Sequence, residues 1–174
     1  MPEQADKPKV DLADAAIGTS VIFGAYEQDF ELENGKEPLE WLVLDRVGDK
    51  VLLLSRFGLL SELYDLSEFD SWEDCRARRY LNENFYVDAF SPEERKRIVK
   101  TANTTPNVTG DELVTEDFVF LLSESEVLEG KTQDGTPYFK DDAARMTLPT
   151  PRKSSACVYS NCEFSWWGDI NVNW

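Results

Sequence analysis

The chain of 174 residues carries 34 acidic against 18 basic side chains, a net charge of −16, with no histidine and three cysteines. Those numbers exclude every Ser-His or Cys-His nucleophile pair, every histidine general base, and every zinc site built on histidine or on four cysteines. They also set aside nucleic acid and anionic membranes as partners, because affinity for phosphate rests on Lys and Arg displacing counterions.

A chain of this length suits one domain that buries about 70% of the surface its unfolded form exposes, so no metal or disulfide scaffold is required. Met1 to Val10 is rich in Pro, Lys and Glu and has no apolar run. It reads as neither a signal peptide nor a membrane anchor, and the expected location is cytoplasmic. An odd cysteine count agrees with that. Residues 1–16 are expected to be a flexible lead-in and residues 17–174 a single domain.

Ser20-Val21-Ile22-Phe23-Gly24, β-branched and aromatic and closed by glycine, predicts a strand. In Leu39 to Val47, Leu39, Trp41, Val43 and Asp45 alternate with Glu40, Leu42, Leu44 and Arg46, and Gly48-Asp49 separates this run from Lys50-Val51-Leu52-Leu53-Leu54-Ser55. Two apolar runs across a two-residue Gly-Asp connection predict a hairpin. Leucines on both faces of its second strand predict that it is covered on both sides.

The middle of the chain turns helical. Ser71 to Asp74, Ser91 to Glu94 and Ser123 to Glu126 each fit S-x-x-[DE], in which the serine oxygen caps a free amide and the acid favours the positive helix end. Pro92 sits where its missing N–H costs nothing. The predicted helices are 72–86, 92–101 and 124–129, with Ala77, Leu81 and Phe85 as a core stripe. Asn103 to Asp111 reads as a polar loop and Phe118 to Leu122 as a strand. From Gly130 the chain is loop-rich, ending on Phe164-Ser165-Trp166-Trp167 and Ile170 to Trp174.

Three constellations bear on chemistry. Asp65, Glu68, Asp70, Glu73 and Asp74 crowd together, but their spacing departs from the EF-hand pattern, and charge runs are usually solvated faces. Arg76, Arg78 and Arg79 could receive an anion, or pair with the acids around them. Of five tryptophans, Trp41 belongs to the central hairpin and reads as core. Trp166, Trp167 and Trp174 suit either a core or an exposed ligand platform. No carboxylate pair for glycoside hydrolysis stands out.

Ile22-Phe23-Gly24-x-Tyr26, Glu37-Pro38-Leu39-Glu40-Trp41-Leu42-Val43-Leu44-Asp45, Trp72-x-x-Cys75-x-x-Arg78-x-Tyr80-Leu81-Asn82-x-x-Phe85, Ala89-Phe90-Ser91 and Val119-Phe120-Leu121-Leu122-Ser123 follow one another in order. This succession, over about residues 20–130, resembles an uncharacterised bacterial domain family. Its members end in W-W-L-R-S-P-G and a closing G-V-R-P-A strand, and their tail looks like the C-type-lectin-like fold shared with formylglycine-generating enzymes. Here Trp166-Trp167 is followed by Gly168-Asp169-Ile170, and the closing strand is expected to be missing.

The resemblance implies an α+β, C-type-lectin-like fold with a central hairpin, packed helices and a loop-rich C-terminal part. The expected function is a non-catalytic recognition module binding a carbohydrate or protein through Trp166, Trp167 and Trp174, with no catalytic residue, metal or cofactor. The alternative is an oxidase-like enzyme. Cys157 and Cys162 form C-x₄-C, similar to the pair that formylglycine-generating enzymes use to hold copper(I), an ion selected by soft thiolates. The summed field favours neutral or cationic ligands. Structurally, the helix bearing Leu81 should pack on the hairpin sheet with Trp41 buried, and residues 170–174 should add to the sheet beside Ser20 to Gly24.

Overall fold

The computed structural model describes residues 11–29, 31–59, 71–106, 109–146, 148–149 and 169–173. Strands β1 (Ser20–Tyr26), β2 (Glu37–Val47), β3 (Lys50–Ser55), β5 (Ile98–Val99), β8 (Val119–Phe120) and β10 (Asp169–Asn173) form a six-stranded sheet ordered β1-β2-β3-β10-β5, with β8 also on β10. Every pairing in it is antiparallel. Two smaller ladders accompany it: β4 (Phe57–Gly58) with β9 (Leu148–Pro149), and β6 (Thr101–Pro106) with β7 (Glu112–Asp117). The architecture is α+β, as expected.

The β2-β3 hairpin forms as predicted, with Val47 opposite Lys50 and Gly48 at a φ of +61° in the turn. Its side chains separate by parity. Leu39, Trp41, Val43, Val51 and Leu53 join Val21 and Phe23 in the main core, where Leu81, Phe85 and Phe90 meet them. Leu44 and Leu54 face the opposite way, into a second cluster with Phe139. The sheet is therefore covered on both faces, and the double-leucine pattern of β3 has its explanation. Trp41 is fully buried and its Nε1 donates to the Phe23 carbonyl at 2.7 Å, so the indole ties β2 to β1 as well as filling the core.

The first helical region starts later and runs further than predicted. Residues 72–74 form a turn that buries Trp72. The helix then proceeds as α1 (Arg76–Arg79), a π-helical stretch over Tyr80–Phe85, and α2 (Tyr86–Ala89). Its N-cap is Cys75, whose Sγ accepts from the Arg78 amide at 3.4 Å, while the Ser71 carbonyl receives the Asp74 and Cys75 amides. In the π stretch the Tyr86 amide donates five residues back, to the Leu81 carbonyl. Leu81 and Phe85 are nevertheless both buried, so the predicted stripe packs on the hairpin sheet.

The second predicted helix is cut short. Helix α3 covers Pro92–Arg95, after which Ile98-Val99 pair with β10 as strand β5. Two of the three predicted capping boxes form, at Ser91-Glu94 and at Ser123-Glu126, the latter opening α4 (Glu124–Glu129), whereas Cys75 rather than Ser71 caps α1. Glu94 has a second task. Its Oε2 closes the box on Ser91 while Oε1 accepts the Gly24 amide of β1 at 3.0 Å. Ser91→Ala should cost about 1 kcal/mol. Glu94→Ala should cost more, since it also leaves a strand amide without its acceptor. Urea denaturation checks the order, and an equal loss for both would mean that the Gly24 contact contributes nothing.

Three further expectations need correction. The polar stretch 103–111 is not simply a loop: Thr101 to Pro106 pair through six positions with Asp117 to Glu112, a β-ribbon whose threonines fit a pleated surface despite their polarity. The lead-in is packed from residue 11 onward. Leu12 and Ala15 are buried, and the Arg46 guanidinium donates to the carbonyls of Leu12, Ala13 and Ala15. The terminal segment does join the sheet, but β10 lies against β3 and against β5 and β8, with β2 and β3 between it and β1.

Candidate functional site

The most elaborate polar constellation among the described residues surrounds Asp117, the last residue of β7, whose side chain is 1% exposed. Its Oδ1 accepts Arg78 Nε at 2.6 Å. Its Oδ2 accepts Trp72 Nε1 at 3.0 Å, Thr115 Oγ1 at 2.7 Å and Asn103 Nδ2 at 3.2 Å. Alternation along β7 turns Thr115 and Asp117 inward together. A charge this deep is tolerated because a guanidinium and three neutral donors satisfy it.

One turn further along, Asn82 performs the same service for the backbone. Its Oδ1 accepts the Phe118 and Val119 amides at 2.8 and 3.2 Å, and its Nδ2 donates to the carbonyls of Val119 and Arg78. Every named polar position of the Trp72-x-x-Cys75-x-x-Arg78 block is thus engaged in holding the helix: Trp72 and Arg78 on Asp117, Cys75 as N-cap. Asn82 then fastens it to β8. Arg78 does pair with an acid, but with the buried Asp117 rather than one of the acids around it in sequence, and Arg76 and Arg79 are exposed.

A second cluster lies in the connection between β1 and β2. Glu27, Asp29 and Glu37 each bring a carboxylate oxygen within 4.8 Å of the others, a set that could hold a hard cation. Its oxygens already serve the turn. Glu37 Oε2 accepts the Gln28 amide at 2.6 Å, Glu27 Oε1 accepts the Asp29 amide at 3.3 Å, and Asp29 accepts from the Glu31 amide and Asn34. The Glu31 amide, helped by Asn34, holds the Asp29 carboxyl below its ordinary pKa. Of the acidic run nominated in the sequence, Glu73 and Asp74 are exposed, as a solvated face requires. Asp65, Glu68 and Asp70 lie outside the described residues.

The nominated aromatic platform also falls outside them: Trp166, Trp167 and Trp174 are not among the described residues, nor are Cys157 and Cys162. Cys75 is buried. A different aromatic pair is present. Tyr86 and Phe118, both half-buried, stack at 4.4 Å with their planes 6° apart, and Arg95 and Lys100 lie over the Tyr86 and Phe118 rings at 6.0 and 5.8 Å. Sequence reasoning missed this pair and Asp117 alike. The signal available for Asp117 was an acid on the inward parity of a strand next to the apolar Phe118 to Leu122 run.

These features define an α+β domain whose signature polar residues lock one helix onto the β6-β7 ribbon and strand β8 of the main sheet. The chain belongs to the family described as a domain of unknown function (DUF6273), whose model matches residues 48–168. That range takes in the Trp72 to Phe85 and Val119 to Ser123 blocks and leaves β1 and β2 outside. No curated protein and no solved structure matches the chain. Among the described residues no helix is long and apolar enough to cross a membrane.

Proposed function

We propose that the chain is a non-catalytic recognition module with a C-type-lectin-like scaffold, binding a neutral or cationic carbohydrate or protein through Trp166, Trp167 and Trp174. The observation that carries this reading is the pairing of the strands that flank residues 150–168 in sequence. Just before them Leu148-Pro149 pairs with β4, and just after them Asp169 enters the middle of the main sheet. The described strands on either side of Trp166 and Trp167 in sequence are thus both paired, and segments connecting the strands of a scaffold are where binding residues commonly sit. Asp117, a buried charge of the matched range, and Arg78 are occupied with one another and with the fold.

A glycan and peptide array probed with the labelled protein tests this. Binding to a defined ligand class is expected, falling at least tenfold in the double variant Trp166→Ala, Trp167→Ala with thermal stability retained. No binding, or equal binding by the variant, would reject the reading. Copper(I) titration separates the oxidase-like alternative: tight binding lost in both Cys157→Ser and Cys162→Ser would favour the enzyme.

A further inference from the structure

We propose that the slot in the main sheet between β3 on one side and β5 with β8 on the other accepts the β10 strand of a second copy of this chain, so that strand exchange is a built-in route of self-association. β10 joins two halves of the sheet. Along one edge Asp169 to Asn173 pair with Leu54 to Lys50, and along the other β10 meets Val99-Ile98 and Phe120-Val119. Among the described residues no other strand links β1-β2-β3 to β5 or β8.

Withdrawing β10 would bare two edges at once, and the β3 edge carries Val51, Leu53 and Leu54, all buried in the intact sheet. An apolar edge with unpaired amides is a template for another strand. The occupant that fits is already defined, because the chain's own strand makes five consecutive pairs with β3 and the same strand from a second copy reproduces them. The slot strands β3, β5 and β8 lie within the family match, while β10 begins at the residue after it. An intramolecular strand has an effective concentration on the order of millimolar, so the monomer dominates in dilute solution. Exchange follows concentration combined with partial unfolding.

The test uses full-length Val172→Pro protein and a fluorescent peptide of residues 163–174. Proline within an interior strand removes a ladder donor and cannot be accommodated there, so the variant's own β10 is displaced and its slot opens. The peptide is expected to bind the variant at least tenfold more tightly than the wild type, and a peptide carrying the same proline should not bind. Wild-type protein passed at high concentration through partial urea denaturation should yield a dimer by light scattering, and the variant should not. A folded variant that ignores the peptide, equal binding to both proteins, or a wild type that stays monomeric overturns the proposal. For a variant that does not fold alone, circular dichroism during refolding decides. Recovery with the wild-type peptide only is expected, and no recovery overturns it.

Discussion

Asp117→Ala should destabilise the protein by about 3–5 kcal/mol, the usual cost of leaving one partner of a buried ion pair alone. The substitution strips acceptors from Arg78, Trp72, Thr115 and Asn103 together. Arg78 is 25% exposed on its side chain, so water recovers part of its loss. The Trp72 indole N–H and the Thr115 hydroxyl are buried and have no such relief. Asp117→Asn keeps the volume but sets an amide donor among donors, so it too should be costly. A double-mutant cycle with Arg78→Met isolates the pair. Denaturant unfolding reads both effects, and a loss below about 1 kcal/mol for Asp117→Ala would mean the network contributes little.

Gly24→Ala should cost about 3 kcal/mol or more, from backbone and packing acting together. Gly24 has a φ of +77°, and a Cβ there would lie 2.7 Å from Phe90 ring carbons and 2.8 Å from the Ala89 carbonyl oxygen. The register of β1 against β2 shifts between Ile22 and Ala25, so the glycine sits in a bulge where strand and helix end touch. Gly18 and Gly35 separate the two contributions. Both have positive φ, +82° and +83°, with nothing within 4 Å of a built Cβ. Alanine at either should cost only the backbone part, about 1–2 kcal/mol. Thermal melts of the three variants should place Gly24→Ala well below the others, and equal shifts would show that Phe90 moves aside freely.

What was legible in the sequence is what local chemistry determines. The β2-β3 hairpin announces itself through apolar alternation on either side of Gly48-Asp49, and the serine boxes at Ser91 and Ser123 through their spacing. Where a polar segment builds structure, the same signals mislead. Thr104 and Thr105 read as loop, and Thr101 as the end of a helix, because pattern reading weighs apolarity and caps, whereas their ribbon with β7 draws on β-branching. Asp117 was one acid among 34. Its partners come from positions 72, 78, 103 and 115, a convergence that only tertiary folding creates. The existence of the terminal strand was likewise visible in Ile170 to Trp174, but its neighbours were not, since a strand's own pattern does not specify which edge it joins.

The position of β10 also sets the order in which the molecule can be finished. Lys50 pairs with Asn173, so the central ladder joins residues far apart in sequence, and its closure must await synthesis of residues 169–173. Hairpins such as β2-β3 and β6-β7 can form as they leave the ribosome, whereas the two halves of the main sheet wait, edges bare, until residues 169–173 emerge. Long-range pairing of this kind slows folding. It also prolongs the interval in which a nascent chain is vulnerable to aggregation and most in need of a chaperone.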